Sequence, residues 1–275
     1  MVVTFSPDIL ALDFDGVICD GLIEYFQTAW QAYCQIWNLS DLTPPDGLAE
    51  QFYGLRPVIE TGWEMPVLLR SLLLNTSSTD IFQDWPTIAR AQMSADGIEK
   101  KALADAVDGC RDRWIQSDLD HWLAQHRFYP GVLETLTQFL NSHTHTVIIS
   151  TKEGRFIHRL LQQQGIDMPR ELIYGKEVKR PKYETLRLVI EDVIQQGKSQ
   201  VSSDLAMENT VASQHSRVMF VEDRLKALQA VTTQSDLKSV QLFLADWGYN
   251  TEGDRTLAKE GDRIQLLSLE QFTGV

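Results

Sequence analysis

Short apolar runs punctuate this chain at wide intervals, and most are followed at once by charged or hydroxyl-bearing residues. The first is Ile9–Leu12, four apolar residues that lead into Asp13-Phe14-Asp15-Gly16. Thr146–Ile149, Glu171–Tyr174, Arg217–Val221 and Val240–Leu244 have the same character, and runs of this length predict buried strands. After and between them, Val132–Leu140, Arg155–Gln164, Tyr183–Gln196 and Leu225–Thr232 repeat apolar positions at helical spacing. This alternation predicts an α/β fold, a doubly wound parallel sheet with helices on both faces.

The interval from Gly21 to Arg127 breaks the alternation. It is rich in Leu, Ala, Trp and Gln and holds no clear strand. Phe26–Ile36, Val67–Leu74, Ile98–Val107 and Asp112–His126 carry helical spacing, while Pro44, Pro45, Pro57, Pro66 and Pro86 separate the pieces. Asn75–Pro86 reads as a long polar loop. The expectation is an all-helical domain over residues 20–127, inserted into an α/β core built from residues 1–19 and 128–275. Hinges are expected near Asp20-Gly21 and Tyr129-Pro130-Gly131, and the Trp and Leu residues are expected to form the insert's own core. Within it, Arg56 lies on a Gly54-Leu55-Arg56-Pro57 loop. It suits a clamp on a phosphate or carboxylate, or else a structural pairing with Glu60 or Glu64. Gly197–Ser216 is irregular and has no evident role.

Composition narrows the possibilities. With 275 residues, 43% hydrophobic and 23% charged, the chain reads as an ordinary soluble globular protein. A net charge of −13 argues against a nucleic-acid-binding face, so an anionic substrate must be drawn by local cations or a metal. No apolar run approaches a membrane span, and the N-terminus lacks the basic start and apolar stretch of a signal peptide. Cys19, Cys34 and Cys110 are odd in number with no Cys-x-x-Cys spacing, which fits a reducing cytoplasm. His143 with His145 and His121 with His126 lack a third ligand at metal spacing and read as structural.

Chemistry gathers where the strands end. Asp13 and Asp15, with a glycine next to let the chain turn, suit metal holding and nucleophilic chemistry. Ser150 and Thr151 follow the second strand; a hydroxyl there can meet a phosphoryl oxygen or cap the next helix. Lys176 and Lys179-Arg180-Pro181-Lys182 place four cations within seven residues of an acidic chain. Glu222-Asp223 follows the fourth strand. In an open α/β sheet these ends share one edge, the usual place for a ligand.

The order of these residues resembles the haloacid dehalogenase superfamily, whose four motifs follow one another in this order. Asp13-Phe14-Asp15-Gly16-Val17 is similar to its first motif, Ser150 to the second, Lys182 to the third with Lys179 the alternative, and Glu222-Asp223 to the fourth. Phe128-Tyr129-Pro130-Gly131-Val132 resembles the return from cap to core, and Trp247-Gly248-Tyr249 resembles phosphatases of the phosphoglycolate type. The resemblance implies a Rossmann-like core with a helical cap. It also implies Mg²⁺-dependent hydrolysis of a small phosphorylated metabolite through an aspartyl-phosphate, with Asp13 as nucleophile and Asp15 as general acid and base. Mg²⁺ is expected on Asp13, the Asp15 backbone carbonyl and Asp223, with Glu222 nearby. Ser150, Thr151 and Lys182 are expected at the phosphoryl oxygens. A sugar phosphomutase or a non-catalytic binding relative are the alternative readings.

Overall fold

Six parallel strands form the core sheet of the computed structural model, which describes residues 6–201 and 217–274. They are β1 (Ile9–Leu12), β2 (His145–Ile149), β3 (Ile173–Tyr174), β4 (Val218–Glu222), β5 (Gln241–Ala245) and β6 (Ile264–Leu267). Their order is β3-β2-β1-β4-β5-β6, and every pairing is parallel. All four residues of β1 are fully buried, so both faces of the central strand are covered. That coverage explains why its sequence is continuously apolar instead of alternating. Ile9 and Ala11 share a buried cluster with Leu186, Val189, Leu225 and Leu228, which come from the helices Lys182–Val201 and Leu225–Thr232.

The chain runs outward from β1 through β2 to β3, then crosses back to β4 on the other side of β1. This reversal creates a switch point between β1 and β4, the position where ligands bind in open α/β sheets. Register fixes what arrives there. Leu12 pairs with Ile148 on one side and Val221 on the other, so Asp13, Ser150, Glu222 and Asp223 all emerge at the same edge.

The chain divides into two compact units, one of Met1–Asp20 with Phe128–Val275 and the other of Gly21–Arg127. Among its described residues the second unit is helical, with Leu22–Ile36, Leu48–Leu55, Glu64–Leu73, Ser78–Asp96, Lys100–Ser117 and Leu119–Leu123 as its α-helices. Phe26, Trp30, Phe52, Leu68, Trp85 and Leu103 belong to one buried cluster inside it.

Several expectations need correction. Asn75–Pro86 is not a loop: Ser77 caps a helix that begins at Ser78, accepting from the Asp80 N–H at 3.1 Å. Pro86 does separate helical pieces: two helices meet at a kink at Asp84 (φ −151°, ψ 61°), whose carboxylate accepts from the Thr87 N–H at 3.3 Å, and the proline ring falls in the first turn of the second. Pro66, by contrast, does not break a helix. It lies in the first turn of Glu64–Leu73, where the missing N–H has no helical partner to lose. Strand β3 is shorter than expected because Arg170–Leu172, after Pro169, forms a 3₁₀ turn. Strand β6 and the helix Leu48–Leu55 carried no recognised signal, and the spacing read separately over Ile98–Val107 and Asp112–His126 falls largely within one helix, Lys100–Ser117. Gly197–Ser216 falls largely outside the described residues. No helix among them is long and apolar enough to cross a membrane.

Candidate active site

A tight loop after β1 aims two carboxylates differently. The N–H groups of Ile18 and Cys19 both donate to the Phe14 carbonyl at 2.9 Å, closing the turn. Gly16 within it has φ +86°, and a Cβ there would fall 2.1 Å from Asp223 Oδ2. Only glycine satisfies both conditions. Asp13 is 5% exposed, and its Oδ1 accepts from the Phe14 N–H at 2.7 Å.

Lys182 opens the helix after the basic loop and reaches back to the sheet edge. Its Nζ lies 2.7 Å from Asp13 Oδ2 and 2.6 Å from Glu222 Oε2. Of the two lysines the sequence left open, Lys182 is the one that meets these carboxylates. Lys179 instead ends a 3₁₀ turn in a left-handed conformation at φ +51°. Burial works against the Lys182 charge, but the two carboxylates outweigh it and raise the ammonium pKa.

Glu222 and Asp223 are both buried. Burial and the nearby Asp13 charge push Glu222 well above the ordinary carboxylate range, against the pull of Lys182. The same two causes raise Asp223 to about 6, against the Tyr249 N–H and the Arg224 and Lys182 charges. Asp223 Oδ2 accepts from the Tyr249 N–H at 2.7 Å, while its Oδ1 is buried with no hydrogen-bond partner. One ligand oxygen from each of Asp13, Glu222 and Asp223 lies within 4.8 Å of the others. Three converging carboxylates, raised pKa values and an orphaned buried oxygen fit a hard divalent cation such as Mg²⁺, which favours oxygen donors.

The other expected residues fall around this group. Asp15 turns its carboxylate to Lys152, at 3.2 and 3.4 Å. Ser150 Oγ accepts from the Lys152 N–H at 3.3 Å. Thr151 is exposed, and with Ser150, Lys176, Lys179 and Lys182 it lines a cavity of about 300 Å³. Arg56 belongs to the helical unit, where its Nη1 donates to the Ile59 carbonyl at 3.0 Å and its guanidinium lies over the Tyr25 ring. Glu64 takes up the backbone N–H groups of Glu60 and Thr61. Of the histidines, His121 Nδ1 accepts from Trp114 Nε1 at 3.1 Å, and His126 Nδ1 faces the Trp122 and Leu123 carbonyls.

Three contributors escaped the sequence reading. Lys152 directly follows Ser150-Thr151, but one lysine in a turn carries no signal of its partner. Asn250 Nδ2 donates to the carbonyls of Asp223 and Ala245, and Arg224 donates to that of Tyr249. The Trp247-Gly248-Tyr249 run was visible, though its face toward Asp223 was not.

No family model matches the chain, and no curated protein matches it by sequence. Solved structures do match. A predicted phosphatase from Clostridium acetobutylicum shares 12% identity at a TM-score of 0.56, with 98% of each chain covered. A haloacid dehalogenase-like family hydrolase from Streptococcus pneumoniae shares 16% identity at 0.50, covering 94% of this chain and 93% of its own. A predicted phosphoglycolate phosphatase from Haemophilus somnus shares 14% identity at 0.50, with 95% of each chain covered. This chain has the α/β fold of those structures.

Proposed function

We propose that the protein is a phosphatase that hydrolyses a small phosphate monoester through a covalent aspartyl-phosphate. The convergence of Asp13, Lys182, Glu222 and Asp223 at the β1–β4 switch point carries this reading. Structures that share the fold and are described as predicted phosphatases support it.

Asp13 is the nucleophile. One of its carboxylate oxygens forms a bond to phosphorus as the bond to the leaving oxygen breaks, and Asp15 gives that oxygen its proton. Water then attacks the phosphorus, Asp15 takes a proton from it, and the bond to Asp13 breaks to release phosphate. Lys182 and the Ser150 hydroxyl hold the non-bridging oxygens, where charge accumulates and fixed donors matter most. Asp13, the Asp15 backbone carbonyl and Asp223 would hold Mg²⁺, with Glu222 beside it. The ion supplies charge neutralisation to the carboxylates and the phosphoryl group. In this reading the helical unit acts as a cap that selects the substrate, with Arg56 a candidate contact.

The decisive variant is Asp13→Asn, which cannot form the acyl phosphate. We expect folded Asp13→Asn protein to lose aryl phosphate hydrolysis by more than about 10³-fold with Mg²⁺ present. Activity within about tenfold of the unaltered protein would remove the nucleophile assignment.

A further inference from the structure

Lys152 has no part in the chemistry above, yet it touches two residues that do. Its ammonium meets both oxygens of Asp15, at 3.2 and 3.4 Å, with the two side chains only 9% and 17% exposed. Its backbone N–H donates to Ser150 Oγ at 3.3 Å. A carboxylate on a loop can rotate about its side-chain torsions, and one ammonium in contact with both oxygens fixes its plane.

The turn that carries Lys152 is itself braced. Its carbonyl accepts from the Lys176 N–H at 2.9 Å, and Gly154 N–H donates to Glu177 at 3.0 Å. Gly175 closes the contact: a Cβ there would fall 2.2 Å from Gly154 N and 2.6 Å from the Lys152 carbonyl. The loop after β3 therefore holds the turn after β2 in place.

We propose that Lys152 is a positioning residue for phosphoryl transfer, its ammonium setting the orientation of the Asp15 carboxylate on a turn whose backbone also holds Ser150. The inference rests on the phosphatase reading. Protonation by Asp15 matters for a strongly basic alkoxide leaving group and little for an aryl oxide. Loss of the ammonium therefore separates the two, whereas loss of a phosphate-binding charge penalises both alike.

The test compares ethyl phosphate with 4-nitrophenyl phosphate, using Lys152→Met and Lys152→Arg at saturating Mg²⁺. Values of kcat/KM report the steps through leaving-group departure. Lys152→Met should lose about 10²-fold on ethyl phosphate and less than about threefold on the aryl ester. Lys152→Arg should recover about tenfold of the ethyl phosphate loss. Mn²⁺ affinity, read by electron paramagnetic resonance, should stay unchanged, since no metal ligand is altered. If Lys152→Met does not fold, Lys152→Gln carries the same comparison. Equal loss on both esters, or no loss on either, overturns the assignment of Lys152 alone. An unaltered protein that cleaves neither ester overturns the phosphatase reading and this inference with it.

Discussion

At the scale of the residue, the Asp223 carboxylate is held by backbone more than by side chains. The Tyr249 N–H donates to its Oδ2, while the Asn250 side-chain amide holds the Asp223 main-chain carbonyl. A Cβ on Gly248 would fall 2.3 Å from Asp223 Cβ and 2.4 Å from the Gly16 carbonyl, so no side chain fits between the two loops. Gly248→Ala should cost about 1–3 kcal/mol of stability, as overpacking does. Its larger expected effect is on activity, at least about tenfold in kcat, because the displaced carboxylate no longer faces Asp13. Urea unfolding and steady-state kinetics on the same sample check both parts. The presence of a glycine here was plain in the chain, and its reason was not.

At the scale of the element, two features decide local stability. In the helical unit, Glu24 is 1% exposed and accepts from Arg111 at 2.7 and 3.2 Å, from Thr28 at 2.8 Å and from Trp122 at 3.1 Å. It ties the first helix of that unit to Lys100–Ser117 and Leu119–Leu123. Glu24→Met strands the Arg111 charge, and we expect a loss of about 3 kcal/mol in urea unfolding. Glu24→Met with Arg111→Met should lose less than the single variant, since neither charge remains. In the core, His145 starts β2, and burial lowers its pKa below 6.5 despite the opposing charge of Asp192. The unfolded chain then binds the proton more readily. Stability tied to His145 is therefore full above pH 6.5 and lost as pH falls below it, toward the lower folded value. His145→Asn should flatten the decline in thermal midpoint between about pH 7 and 5. An unchanged slope would dismiss the effect.

At the scale of the whole molecule, the carboxylate cluster is a liability that a cation relieves. Asp13, Glu222 and Asp223 face one another, with Lys182 paired to the first two. Saturating Mg²⁺ should stabilise the folded core by about 2.7 kcal/mol at a hundredfold excess over its dissociation constant. That corresponds to a rise of about 5 °C or more in the core's melting transition. Asp223→Asn should abolish most of the rise, and a chelator should reverse it in the unaltered protein. A Mg²⁺ response that survives Asp223→Asn would place the ion elsewhere.

The sequence by itself determined the strands that end in chemistry and the place where a helical unit interrupts them. Continuous burial of β1 and β4 leaves an apolar run, and acids or hydroxyls at the ends of such runs stand out against it. Helical spacing inside Gly21–Arg127 survived as well, because amphipathic packing within one helix is a local property. Local signals failed where the answer lay in a neighbour. Ser77 capping placed a helix start inside Asn75–Pro86, and a stretch as short as β3 yielded to the turn after Pro169. Only the tertiary structure decided which cation meets which carboxylate. Lys179 and Lys182 are three residues apart and chemically alike, yet the helix start and the β1–β4 register bring Lys182 alone to Asp13 and Glu222. Lys152 found Asp15 in the same way, across more than a hundred residues of chain. Residue pattern encodes burial and backbone dihedrals, whereas a charge pair of that separation exists only once parallel strands have set their register.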